Sequence, residues 1–459
     1  RWVPKISPSM PDRHDLNIIL GSLFLIEGLE NDENMNRHLL EKLASPSVRE
    51  GQISKTYAAI KKTLREFAAS NSVDKMQDLT DIALTALSTV EIVVMDPSSG
   101  PKIFDSLNSR QEPITTGDLI RNEIFGRVAR KDPTEAIRLD AELWTPFYES
   151  FAKAGDKTQR DNFEKFFFPM GLIINSTFKK NDVFPALRKR WGGWKAEEIM
   201  KELSSYRVPF QDLVFGLNDS GFGKLLEQSV TNLHLMSAPS AAYPFIMKVQ
   251  LEAASGNIEE RVAVDVLHEV ESFLVRRAVC SIAPTGLHAV FKGLWSSLDG
   301  AVSGKTVKNY LSNIKTVEYP TDESVLRFLD ENLYHKGIAK YFIWEYDRSL
   351  GGDSHSKQDY KERLQIEHVL PQTLPKKGWE AFDIKTHKRL VHQAGNLIPL
   401  TAEMNKDVSQ HPYKLKKGKI EEDSRYKSSR ELTKHVEWTP ELLAKRTELL
   451  KAWAIKRWS

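Results

Sequence analysis

The sequence predicts an α+β fold that is predominantly helical. Apolar residues recur at helical spacing over most of the 459 residues, above all between about Asp140 and Asp347. Short β-branched or apolar runs interrupt that pattern near Val90–Met95 and again inside "LQIEHVLPQ" and "AGNLIPL". The last of these runs is followed by "AEMNKDVSQ", a helix start, so the carboxyl-terminal segment reads strand, long loop, strand, helix.

The elements follow in order. "MQDLTDIALTALSTVEIVVMD" begins with helical spacing and ends as a strand, and "GPKIFDSLNSR" follows as a short helix. "TTGDLIRNEIFGRVARK" is a helix in which Thr115 and Asp118 form a capping box and Leu119, Ile120, Ile124 and Phe125 make one apolar stripe. Asp132-Pro133-Thr134-Glu135 opens the next helix, with Pro at the first helical position. Helices continue to about Asp347, with breaks at "WGGW", "NDSGFG", "APSAAYP" and "LDGAVSGK". "GAVSGKT" has the look of a phosphate-binding loop but is one residue short and follows no strand, so it reads as a helix–helix turn. Polar, Gly-rich "DRSLGGDSHSKQDYK" reads as a linker. "WTPELLAKRTELLKAWAIKRW" closes the chain as a helix with Thr439 as N-cap. The expected domains are 1–135, 136–350 and 351–459.

Composition narrows the class. Hydrophobic residues make up 41% and charged residues 28%, enough to build sizeable cores. The single cysteine, Cys280, excludes a disulfide framework and a Cys-rich zinc ribbon and fits a reducing cytosol. No apolar run is long enough to span a membrane. Net charge is +3, unevenly spread. From Lys361 to Ser459 there are 21 Lys and Arg against 13 Asp and Glu, leaving 44 against 49 in the first 360 residues. The basic excess thus sits with the two strands, which points to a polyanionic partner there.

Glu367 and His368 lie side by side on the first strand, Asn396 at the start of the second, and Asn405 on the helix. Carboxylate and amide oxygens suit Mg²⁺ rather than zinc. A neutral imidazole beside such an ion can take a proton from water. Base plus hard divalent metal is the minimum for phosphodiester hydrolysis. Neighbours on a flat strand face opposite ways, so one shared site requires the strand to twist or end, and Pro371 is consistent with an end. Lys414, Lys416, Lys417 and Lys419 follow, where they could grip flanking phosphates. The bland alternative is a core strand with a buried histidine. His387, His392, His411 and His435 read as surface or core histidines.

"EHVLPQ…GNLIPL…N" resembles the ββα-metal HNH nucleases of GmrSD-like restriction enzymes and of RNA-guided effectors. The resemblance implies His368 as general base, Glu367 and Asn405 as ligands of Mg²⁺ or Mn²⁺, and Asn396 as the brace of the loop. Glu367 stands where many relatives have Asp. Upstream, "IFDSLNSRQEPITTGDLIRNEIF" resembles the motif F-x-x-L-N-x-R-G-x-x-L-T-x-x-D-L-x-K-N of the ParB-like NTPase domain of GmrSD-type, modification-dependent (type IV) restriction enzymes. Gln111 replaces its Gly and Arg121 its Lys. Asn108 and Arg110 would then face a nucleotide or sensor pocket; the alternative is helix capping by Ser106 and Asn108. The NTPase signature D-G-Q-Q-R is absent and the chain does not open on Met, so either its amino end is missing or its NTPase is crippled.

The expectation is therefore a remnant of a ParB-like α/β domain, a helical middle and a C-terminal HNH nuclease domain. It would cut double-stranded, modified phage DNA in a bacterial cytoplasm, with NTP as a further ligand if the motif exists and a homodimer left open. The competing expectation is a non-catalytic DNA-binding or modification-sensing protein that keeps the HNH fold.

Overall fold

The computed structural model describes residues 52–86, 115–129, 131–152, 159–351 and 356–459, together with residues 16 and 19. The expected strand at 90–95, the helix "GPKIFDSLNSR", and Asn108 and Arg110 lie outside the described residues. The chain divides into two compact units, Arg1–Pro146 and Phe147–Ser459.

In the first unit the described elements are helical: α1 (Gln52–Ser70), α2 (Val73–Thr85), α3 (Thr116–Ala129) and α4 (Pro133–Leu139). The capping box of α3 forms as its sequence predicts. Thr115 N–H donates to Asp118 at 3.2 Å and Asp118 N–H to Thr115 Oγ1 at 3.1 Å. Asp132 caps α4 by accepting from the N–H groups of Thr134 and Glu135. Arg121 grips Asp140 with two hydrogen bonds of 2.8 and 2.6 Å, a planar fork that a lysine could not supply.

The second unit begins with a bundle: α5 (Gln159–Ile174), α6 (Val183–Arg190), α7 (Ala196–Phe215), α8 (Lys224–Leu235), α9 (Tyr243–Ala254), α10 (Glu260–Val279), α11 (Leu287–Ser297), α12 (Gly304–Asn313), α13 (Asp322–Glu331) and α14 (Ala339–Ser349). The apolar stripes of α8 to α12 make one core around Leu267, Val270, Phe273 and Phe291. "GAVSGKT" is the turn into α12, whose N-terminus is capped by Ser303 and Thr306, so its hydroxyls serve the helix. Asp347 corrects the linker reading at its start. It is buried near the end of α14 and accepts from both the N–H and the hydroxyl of Ser428, each at 2.6 Å.

Two strands, β1 (Leu364–His368) and β2 (Leu397–Thr401), pair antiparallel, with Glu367 opposite Ile398 and His368 opposite Leu397. Between them lies α15 (Ile384–Leu390). After β2 come α16 (Ala402–Val408), which packs on both strands, then α17 (Tyr413–Asp423) and the terminal α18 (Pro440–Arg457). β2 is apolar without alternation because both its faces are covered. Leu397 joins Phe342, Leu450 and Trp458 of the helical core, whereas Ile398 and Leu400 join Trp379, Val408 and Tyr413 of a second, smaller core. Thr439 caps α18 by accepting from Leu442 N–H. α18 also explains Gly395. A Cβ there would strike the Thr447 side chain and the Leu443 carbonyl, and Arg446 uses the same close approach to donate to the carbonyls of Gly395 and Leu397, both at 2.8 Å.

Candidate active site

β1 ends at His368, and that end solves the facing problem. Glu367 and His368 both line one cleft of about 290 Å³, joined by Ile366, Pro371 and Gln372 from the strand and its exit. Asn405 and Lys406 enter from α16, and Tyr334 from the segment between α13 and α14. Three of the expected residues, Glu367, His368 and Asn405, therefore meet at one place, brought there by strand pairing and the packing of α16.

Asn396 lies beneath this cleft, fully buried. Its Oδ1 accepts from Leu370 N–H at 2.7 Å, and its Nδ2 donates to the carbonyls of Leu370 at 2.9 Å and Val391 at 2.7 Å. Its own carbonyl accepts from Val369 N–H at 2.9 Å. One amide thus ties the exit of β1 to the entry of β2, satisfying backbone groups that burial would otherwise strand. Asn405 donates to Gln365 Oε1 at 2.9 Å, which leaves its own carbonyl oxygen as an acceptor at the cleft.

Lys416 corrects the expectation of a lysine on a DNA-facing surface. Its side chain is 1% exposed, and its Nζ donates to Glu367 Oε1 at 2.6 Å and to the His368 carbonyl at 2.8 Å. It reaches the site because the buried stripe of α17, Tyr413, Lys416 and Ile420, faces inward. Lys417 donates to the His435 carbonyl at 3.2 Å and Lys419 to the Asp407 carbonyl at 3.0 Å, whereas Lys414 is exposed. Lys406, exposed on the cleft wall beside Asn405, has the placement the sequence assigned to the α17 lysines.

Burial sets the electrostatics. It pushes the Glu367 carboxyl up, a rise that Lys416 only partly offsets. It pulls Lys416 down against the pull of Glu367. It also drives His368 down to about 3, helped by repulsion from His392, Lys416, His335 and His387. His368 is therefore neutral at physiological pH, with a lone pair to offer. Its Nε2 lies 3.2 Å from His392 Nδ1. The edge of the Tyr334 ring meets the His368 ring at 4.3 Å between centroids. His387, by contrast, is spent on structure: its Nε2 is 2.8 Å from the Pro371 carbonyl.

Sequence reasoning missed Tyr334, Lys406, the inward turn of Lys416 and the contact made by His392. The inward stripe of α17 carried a signal for Lys416. Tyr334 carried none, because it arrives from 34 residues upstream of His368 across the fold.

Residues 319–453 match the family model of the C-terminal domain of GmrSD restriction endonucleases. The matched segment supports a restriction-endonuclease C-terminal domain of GmrSD type and contains the whole cleft. It begins upstream of α13, and α13 and α14 pack into the core that receives Leu397. No curated protein sequence matches the chain. No helix among the described residues is long and apolar enough to cross a membrane.

Proposed function

We propose that the chain is a modification-dependent DNA endonuclease. Its carboxyl-terminal segment hydrolyses phosphodiester bonds of foreign DNA, with His368 as general base and one divalent cation, Mg²⁺ or Mn²⁺, held by Glu367 and Asn405. The observation that carries this reading is the meeting of Glu367, His368 and Asn405 in one cleft inside the segment that matches the restriction-endonuclease family model.

The donor chemistry fits the cation. The two candidate ligands offer hard oxygens, and among the described residues no three His, Cys, Asp or Glu gather as zinc would favour. When bound, such a cation neutralises charge on the scissile phosphate and on the leaving oxygen. The protein's own groups do the rest. His368 accepts a proton from water at its free ring nitrogen. Lys416 fixes the Glu367 carboxylate and the end of β1. Asn396 keeps the loop after β1 in register with β2. Lys406 and Lys414 offer exposed charge to flanking phosphates. Discrimination of modified from plain DNA belongs to the part before 351, which is net acidic overall and so suits a pocket rather than a phosphate-gripping face. An NTP requirement and a homodimer belong to the same reading.

One observation favours a second reading, a non-catalytic DNA-binding or sensing protein that keeps this fold: Glu367 Oε1 is already engaged by an ammonium. A cleavage panel separates the two. Modified and plain phage DNAs are incubated with the full chain, with Mg²⁺, Mn²⁺ or Zn²⁺, with and without NTP. Cleavage of modified DNA with Mg²⁺ or Mn²⁺, and poor cleavage with Zn²⁺, is expected. DNA binding without cleavage under every condition would establish the second reading.

A further inference from the structure

We infer that His392 is a positioning residue for His368. It accepts the Nε2–H of His368 at its own Nδ1 and thereby leaves the Nδ1 lone pair of His368 available at the cleft. The inference rests on the nuclease reading only for its consequence, not for its geometry.

The geometry is a built cradle. His368 Nε2 and His392 Nδ1 are 3.2 Å apart. His392 is fixed at both ends. Its carbonyl accepts from the N–H groups of Leu333 and Tyr334 at 3.0 and 3.3 Å, and its ring stacks on Tyr334, 5.6 Å between centroids and 13° between planes. The Tyr334 ring in turn stands edge-on to His368. His335 closes the far side of His392 at 4.6 Å. Rotation of the His392 ring would break its stack on Tyr334, and rotation of the His368 ring its edge contacts with Tyr334 and His392.

Which way the proton points follows from tautomer chemistry. A hydrogen bond between these two nitrogens needs the proton on one of them. With the proton on His368 Nε2, both rings adopt the Nε2–H form, which is the intrinsically favoured tautomer of the neutral histidine side chain. The reverse direction forces both rings into the Nδ1–H form. The first arrangement is therefore preferred, and it leaves on His368 a bare Nδ1 that has no hydrogen-bond partner among the described residues. The second would cover one His368 nitrogen with a donor and protonate the other, leaving nothing to take a proton. His392 plays towards His368 the part that a buried carboxylate plays towards a catalytic histidine: it selects the tautomer and holds the ring.

The test uses the full chain and two substitutions. In His392→Asn the amide oxygen replaces Nδ1 as acceptor; in His392→Phe the stack on Tyr334 survives and the acceptor is lost. We expect His392→Phe to lower kcat on the order of 10²-fold with KM for DNA unchanged, and His392→Asn to recover most of that loss. Equal losses in the two variants, or a His392→Phe rate within about two-fold of the unsubstituted protein, would overturn the inference. A second readout needs no catalysis. The ¹⁵N shifts of the His368 ring should report Nε2–H in the unsubstituted protein, and an Nδ1–H ring refutes the assignment even if the protein cuts DNA. If the protein cuts no DNA at all, the nuclease reading fails while the ring shifts still decide the role of His392.

Discussion

Two glutamates of the second unit, buried Glu271 and partly buried Glu367, are built from similar ingredients and come out opposite. Glu271 on α10 takes hydrogen bonds from Tyr341 at 2.9 Å, Trp458 at 2.8 Å, Arg457 at 2.6 Å and Asn232 at 3.2 Å. Burial pushes its carboxyl up, but Arg457 and the ring of donors more than compensate, so it sits below the ordinary range. Glu367 has Lys416 and the backbone N–H of His368, and burial still wins. The difference is saturation. A carboxylate surrounded by donors locks helices α8, α10, α14 and α18 together and has nothing left to offer. A carboxylate with one cation and one backbone N–H at the rim of a cleft is not saturated. Glu345, which shares Arg457 with Glu271, stands between the two: it keeps Arg348 and Arg457, yet its carboxyl is raised by burial.

This contrast can be broken by removing one member of each set. Glu271→Gln takes from Arg457 its shortest charged partner and leaves it Glu345 and His268, and should cost about 3 kcal/mol of stability, the lower end for breaking a buried pair. Lys416→Met should cost only about 1 kcal/mol, because the Glu367 carboxylate can turn to the water of the cleft. Urea unfolding of both variants measures the two costs, and equal values would erase the distinction between sealed and open carboxylates.

Asn396→Ala comes next. It removes an acceptor and two donations at a fully buried site, so about 2 kcal/mol of stability should go, together with activity, because the exit of β1 loses its brace. A variant that keeps its melting temperature and loses only activity would move Asn396 from support to chemistry.

The smallest effect is in pH, and its sign differs between the two carboxylates. The folded Glu271 lies below its ordinary value of 4.5, so its contribution to stability is present above that value and is lost as pH falls below it. The folded Glu367 lies above 4.5, so it binds protons more readily in the folded state and costs stability as pH rises through its folded value. Glu271→Gln should therefore flatten the acid limb of a stability profile, and Glu367→Gln should remove a decline on the other side. Identical profiles for the two variants would contradict the opposite shifts.

What the sequence disclosed follows from range. Caps are local, so Thr115 with Asp118, Asp132 with Pro133, and Thr439 could all be read from neighbours and are found as read. The two strands were legible from their composition, but that β2 is covered on both faces emerged only from the packing of two cores around it. The gathering of Glu367, His368 and Asn405 was legible only as a motif. Their shared cleft depends on β1 ending at His368 and on α16 lying across the pair. Lys416 shows where reading fails. In a run of lysines, charge suggests a surface, but the turn of α17 that places Tyr413 and Ile420 inside carries Lys416 in with them, to a partner 49 residues away. His392 and Tyr334 meet His368 only through packing of segments far apart in the chain, which no local pattern encodes.

The role of His368 as the base of a metal-dependent nuclease centre is tested most directly by single-turnover cleavage of modified DNA by the full chain in Mg²⁺. His368→Ala should lower the rate by roughly 10²–10⁴-fold while DNA binding stays near that of the unsubstituted protein. A His368→Ala rate within a few-fold of the unsubstituted protein would contradict the account and move the base to His392.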